Sequence, residues 1–313
     1  MTRPCNKAAA GGLLSSTTNW TIAIESYIQK AKGFAATNHA MVEAVVSGYG
    51  PDKKTADAGA GARTVMNISS AHVPSFCTAA RNMDPSPYKN GYDLGHYRIG
   101  AKPGDLKTRE LVDDALPLDA KETKDQVYFG AVELNGSGIR FYGDICLVLK
   151  CDATDSATAV LDRNSYDLVR SPLREEIEEA GGPPGAARKN KAAELFGRWE
   201  DHLGAMSALK VLKRLGDRER RYTTGQISEA LREDEDYMEV LRIGSFGPDS
   251  LQEARVSATE SAHDALVGDR LTTRPTPRME SLMWRFRRHT AESALRAEDV
   301  TLNVVTTAGR TKD

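Results

Sequence analysis

The run Asp236-Tyr237-Met238-Glu239-Val240-Leu241-Arg242-Ile243-Gly244 places an acidic side chain inside a short apolar stretch. In a strand, successive side chains point to opposite faces, so Tyr237, Glu239 and Leu241 share one face and Met238, Val240 and Arg242 the other. A carboxylate in the middle of such a strand loses hydration, which is costly unless the group is paired or used. The stretch alone allows two readings. Either it is an edge strand with Glu239 in water, or it is a strand whose carboxylate has chemical work to do.

The rest of the chain narrows the choice. Its 313 residues are enough for one large or two ordinary domains, and at 40% hydrophobic and 27% charged they supply a sizeable core. A net charge of −2 and a pI near 6.3 give no global positive field, which argues against nucleic acid as the partner. No apolar run approaches the roughly 18 residues of a membrane span. The four cysteines, Cys5, Cys77, Cys146 and Cys151, form no C-x-x-C pair, and the six histidines do not cluster at metal-ligand spacing. No metal site is expected from them. Residues 1–18 are rich in Ala, Gly, Ser and Thr, lack the apolar core of a secretory signal peptide, and are expected to be disordered.

Local patterns divide the remainder of the chain. Asn19 is placed to cap a helix with Trp20, Ile24, Tyr27 and Ile28 on one face, and a second helix is expected from about Asn38 to Gly48. Residues 49–63 read as a loop. Residues 84–105 are broken up by Pro and Gly around His96-Tyr97-Arg98-Ile99. Val127 to Leu134 reads as a strand, Asn135-Gly136 as a turn, and Ile139 to Lys150 as the best strand of the chain, with Gly143 marking a bulge or a close backbone approach. Val160-Leu161 leads into Asp162 to Asp167. From 171 to 235 the chain is helical and charged: Pro183-Pro184 opens a helix that Gly216 ends, and Thr223-Thr224-Gly225-Gln226 reads as a capping box. Ala254-Arg255-Val256 reads as a short strand. Ser257 to Glu260 is a second capping box for a helix ending at Gly268. A last helix after Thr276-Pro277 sets Met279, Leu282, Met283 and Phe286 on one face, against Arg285, Arg287, Arg288 and His289 in solvent. Thr301 to Thr306 reads as a final strand. Helices, strands, helices, strands in that order predict an α+β fold.

Phosphate-binding patterns of the P-loop and dinucleotide type are absent, and so is G-x-S-x-G. Tyr92-Asp93-Leu94-Gly95-His96 faintly resembles the Asp-Arg-Gly-His motif of ββα-metal nucleases, with Leu94 in place of the Arg and no evident downstream metal ligands. A second resemblance joins three separated pieces: Tyr142-Gly143-Asp144 ahead of an apolar strand, Asn164-Ser165-Tyr166, and Tyr237 to Gly244. Their order resembles that of ADP-ribosyltransferase-like bacterial toxins and effectors, over roughly residues 90–170 and 235–310. It lacks the Ser-Thr-Ser triplet of that superfamily and has Tyr237 where a second acid or amide often stands.

The resemblance implies a split β-sheet core with N-terminal helices. Residues 19–170 and 236–313 would be its two halves, and 171–235 an inserted, target-facing helical lobe. It implies NAD as substrate and a protein target, with threonine of host ubiquitin as the most specific instance. Glu239 would be catalytic. Arg98 or its rival His96 would anchor ribose or phosphate, Ser165 and Tyr166 would orient the carboxylate, and Tyr142 would meet the nicotinamide ring. It also implies a bacterial protein, secreted or delivered into a target cell, acting as a monomer without membrane contact. The rival classes are the nuclease built on His96 and a non-enzymatic binding protein using 171–235.

Overall fold

The computed structural model describes residues 36–47, 61–94, 109, 111–113, 126–150, 158–170, 175, 195–216, 222–232, 237–273 and 278–306. The expected disordered start, the helix from Asn19, the Pro183-Pro184 helix start, Cys5, Cys151 and both anchoring candidates, His96 and Arg98, lie outside the described residues.

The strands are β1 (Arg63–Ile68), β2 (Val127–Glu133), β3 (Ile145–Leu149), β4 (Thr158–Leu161), β5 (Phe196–Arg198), β6 (Glu239–Ile243), β7 (Leu251–Ser257) and β8 (Leu302–Val305). They hydrogen-bond as one sheet in the order β5-β4-β6-β2-β1-β3-β7-β8. Neighbours are antiparallel except β7 and β8, which run parallel. A parallel neighbour needs a long crossover, and α5 (Ala258–Thr273) and α6 (Met279–Arg296) lie between those two strands in the chain. With α1 (Ala36–Ser47), α2 (Val73–Arg81), α3 (Trp199–Leu215) and α4 (Thr224–Leu231), the fold is α+β. No helix among the described residues is long and apolar enough to cross a membrane.

A central position belongs to β1, which begins at the end of the stretch 49–63 read as a loop and runs on through residues to which the sequence assigns no element. It sits between β2 and β3, so the Asn135-Gly136 turn does not close a hairpin between neighbouring strands. The apolar run from Ile139 also divides. Arg140–Tyr142 is a 3-10 turn, and only Ile145–Leu149 is strand. The cause is a crossing of main chains at Gly143. A Cβ there would stand 2.5 Å from both the carbonyl oxygen of Ile68 and the nitrogen of Ser69. Asn67 clasps the crossing: its Nδ2 donates to the carbonyls of Ser137 and Gly143, both at 3.0 Å, and its Oδ1 accepts the Ile139 N–H at 2.8 Å.

Two main apolar clusters flank the sheet. One gathers Val42 and Val46 of α1, Leu161, Val240, Met206 and Val211 of α3, and Ile227 and Leu231 of α4. The other packs Phe76 and Cys77 of α2 and Ala291 and Leu295 of α6 against Met66, Ile145, Leu147 and Leu149. Leu195, Phe196, Met206, Val211, Ile227 and Leu231, within the segment 171–235 that the resemblance made an inserted lobe, belong to this core. Phe196, fully buried, opens β5 on the edge of β4, and α3 lies against both. Within α3, Asp201, Lys213 and Arg214 are exposed while Leu203, Met206 and Val211 are buried, which is ordinary amphipathicity, but Lys210 is buried as well.

Three local expectations are realised. Gly216, at φ 70°, ends α3, although that helix starts only at Trp199, because β5 lies inside the span expected to be helical from Pro183-Pro184. Thr223 and Gln226 form the reciprocal capping box of α4. The Ser257 hydroxyl accepts the Glu260 N–H at the start of α5. That helix runs past Gly268 to Thr273, since a single glycine costs a helix only about 1 kcal/mol. On α6, Arg285, Arg287 and His289 are exposed as expected, but the buried face is Arg288, Ala291 and Leu295 rather than the Met279–Phe286 stripe. Arg288 is 6% exposed and bonds Asp264 at 2.8 Å and Asp144 at 2.9 Å, while Met279, Leu282, Met283 and Phe286 face solvent. Two aspartates from other elements make the inward guanidinium favourable, and no pattern within the helix announces them.

Candidate functional site

Strand β6 is interior. It lies between β4 and β2, with Glu239 directly opposite Leu161 on one side and Ala131 on the other. The edge-strand reading is thereby excluded, and Glu239 is 3% exposed. The carboxylate borders a cavity of about 570 Å³, within the range of small-molecule sites. The small Ala131 and Gly130 of β2 line the same cavity and leave room beside the acid.

The carboxylate is held from two sides. The main-chain N–H of Ser165 donates to Oε2 at 2.7 Å, and the Tyr237 hydroxyl donates to Oε1 at 3.4 Å. Ser165 opens the 3-10 turn Ser165–Val169, and its neighbour Asn164 caps that turn by accepting the Tyr166 N–H at 3.0 Å. Burial pushes the Glu239 carboxyl up to about 7. The Ser165 side chain and N–H, the Arg109 charge and the Tyr237 hydroxyl pull the other way and only partly offset it. A carboxyl poised near neutrality can give or take a proton at working pH.

Tyrosines wall the cavity. Tyr142, on the turn before β3, brings its hydroxyl to 3.2 Å from that of Tyr237, and the two rings meet edge-on at 6.4 Å. Tyr166 lines the cavity beside them. Tyr88 forms another wall, stacked on Phe246 at 4.6 Å. The turn bearing Tyr142 is anchored at both ends: Arg140 pairs with Glu260 of α5, and Asp144 pairs with Arg288 of α6.

Glu239, Ser165, Tyr166 and Tyr142, which lie far apart in the chain, are thus brought together, while Arg98 and His96 lie outside the described residues. Sequence reasoning missed the cation of the site. Arg109 is buried against the cavity, its guanidinium 4.1 Å from the Phe129 ring centre and 2.6 Å from Asp113. Asp113 in turn accepts a hydrogen bond from Tyr92. A lone arginine in a helical pattern carries no motif; only its neighbours in space mark it. Lys89 and His72 add further polar groups to the lining. In the nuclease-like stretch, Asp93 is occupied, accepting from the Asn90 N–H at 3.0 Å and the Ser86 hydroxyl at 3.1 Å in its own loop and from the Tyr128 hydroxyl of β2 at 3.1 Å. Among the described residues no group of three or more His, Cys, Asp or Glu could hold a metal ion.

The described residues therefore define an α+β protein with one buried carboxylate in a tyrosine-walled cavity. No family model, curated protein or solved structure matches the chain.

Proposed function

We propose that this protein is a mono-ADP-ribosyltransferase, built on an ADP-ribosyltransferase-like split core, that moves ADP-ribose from NAD to a macromolecular acceptor. The observation that carries the reading is the buried Glu239 carboxyl, held by Ser165 and Tyr237 in the wall of a cavity lined by Tyr142 and Tyr166. The groups present suit the substrate. Tyr142 and Tyr166 offer aromatic surface for the nicotinamide ring, and Arg109 and Lys89 offer positive charge for phosphate oxygens.

In the reaction, the bond from ribose C1′ to the nicotinamide nitrogen breaks, and neutral nicotinamide leaves with the bonding pair. The ionised Glu239 carboxylate stabilises the oxocarbenium-like centre that develops. The acceptor oxygen bonds to C1′ and its proton passes to Glu239. A carboxyl with a pKa of about 7 is a stronger base than an ordinary glutamate. That suits a hydroxyl acceptor, such as the threonine of ubiquitin implied by the resemblance, and an effector role goes with it.

The test is incubation of the full chain with labelled NAD and a cell lysate, reading labelled protein and released nicotinamide. Wild-type protein is expected to give both, and Glu239→Gln to lose at least about a hundredfold in rate with its fold retained. Failure of the wild type to release nicotinamide under any acceptor supply overturns the proposal.

A further inference from the structure

We infer that the hydroxyls of Tyr237 and Tyr142 form a proton relay between the Glu239 carboxylate and the solvent-facing wall of the cavity. The inference rests on the reading of Glu239 as the catalytic carboxylate.

The geometry leaves two consistent sets of hydrogen-bond directions. The Tyr237 hydroxyl has one proton and two lone pairs. It stands 3.4 Å from Glu239 Oε1, 3.4 Å from Asn164 Nδ2 and 3.2 Å from the Tyr142 hydroxyl. The amide of Asn164 is oriented by its other end, because Oδ1 accepts the Tyr166 N–H at 3.0 Å. Its Nδ2 therefore faces Tyr237 and can only donate. One lone pair of Tyr237 is taken, and two arrangements remain. With Glu239 ionised, Tyr237 donates to the carboxylate and Tyr142 donates to Tyr237. With Glu239 protonated, the carboxyl donates to Tyr237 and Tyr237 donates to Tyr142. Passing from the second to the first moves one proton out of the carboxyl and releases one from Tyr142.

The exposure of the members makes that transfer useful. Glu239 and Tyr237 are both buried, whereas Tyr142 is 51% exposed and lines the cavity. With substrate filling the cavity, a proton taken from an acceptor hydroxyl would otherwise stay on the buried carboxyl. Burial, as the largest cause, pushes both tyrosine hydroxyls up, so neither becomes a tyrosinate near neutrality and the protons move in concert. Arg109, Tyr142, Tyr166 and Tyr237 are the charged or titratable groups that act on Glu239 from the surrounding elements or share its wall. Tyr88, His72 and Lys89 complete the ionisable lining of the cavity. The 3-10 turn that carries Tyr142 is fastened by the Arg140–Glu260 and Asp144–Arg288 pairs, which keeps the outer member in place.

Two variants test the relay, Tyr237→Phe and Tyr142→Phe, each of which keeps the ring and removes the hydroxyl. One measurement needs no NAD: the titration of Glu239, followed by carboxyl 13C NMR of the full chain. The midpoint is expected to rise in Tyr237→Phe, which removes a donor to the ionised form, and to rise less in Tyr142→Phe. Unchanged midpoints in both variants overturn the relay, whatever NAD does. The second measurement is nicotinamide release. Tyr142→Phe is expected to lower kcat about tenfold or more with KM for NAD retained, and to lower the solvent deuterium isotope effect on kcat. A kcat within about twofold of wild type overturns the relay as the catalytic path. Absence of release by wild-type protein overturns the transferase reading instead, and the NMR titration then decides whether the hydroxyl chain is coupled to the carboxyl.

Discussion

The main-chain N–H of Ser165 points at Oε2 of Glu239 from 2.7 Å, across 74 positions of sequence. A backbone donor of this kind cannot swing away, so the carboxyl keeps its place whether ionised or neutral. Its protonation state is then set by burial and by the few groups around it.

That arrangement makes stability depend on pH in a defined direction. The folded pKa of Glu239, about 7, lies above the ordinary 4.5. Below 4.5 both folded and unfolded chains carry the proton at this site. Between 4.5 and 7 only the folded chain retains it, so the folded state loses stability as pH rises through this window. The full cost above that window is on the order of 3 kcal/mol. Glu239→Gln removes it. The difference in Tm between Glu239→Gln and wild type is expected to be small near about pH 4.5 and to grow in favour of the variant toward about pH 8, as measured by calorimetry across that range.

Arg109 acts on the same carboxyl and on the fold. Its charge lowers the Glu239 pKa, and it is paired with the buried Asp113 at 2.6 Å. Arg109→Met is expected to move the Glu239 midpoint upward. Because it leaves Asp113 buried without that cation, it is also expected to cost about 3–5 kcal/mol in a urea titration. Arg109→Lys, which keeps the charge, should retain more of both properties.

Gly143 is required for space. Its backbone is extended, at φ 164°, which any residue adopts. A Cβ would nonetheless meet the main chain of Ile68 and Ser69, which has no side-chain rotamer to yield. Gly143→Ala is expected to destabilise by about 1–3 kcal/mol, read as a lower denaturant midpoint. It should also displace Tyr142 one residue away, detectable as reduced protection of the Tyr142 amide in hydrogen exchange.

Phe286 and Arg288 of α6 should respond in opposite ways to what their side-chain types suggest. Phe286 is 67% exposed, and Phe286→Ser is expected to change stability by no more than about 0.5 kcal/mol. Arg288 is buried between Asp144 and Asp264, and Arg288→Met is expected to cost about 3–5 kcal/mol. Thermal unfolding of the two variants side by side checks the contrast.

What the sequence by itself determined is local. The capping box at Thr223, the helix stop at Gly216, strand β6 and the helix α1 are each written in a few adjacent residues, because caps, breakers and side-chain periods act within one or two turns of backbone. The awkwardness of Glu239 inside an apolar run was equally legible. Whether that acid was wet or buried was not, since it depends on β2 and β4 closing on either side of β6. The same limit hid the central place of β1, the core role of β5, α3 and α4, and the inward turn of Arg288. Arg109 became part of the site only through Phe129, Asp113 and the cavity they share. Each of these is decided by contacts between distant positions. Their free energy is gained only when the whole sheet is assembled, so the tertiary structure alone settles them.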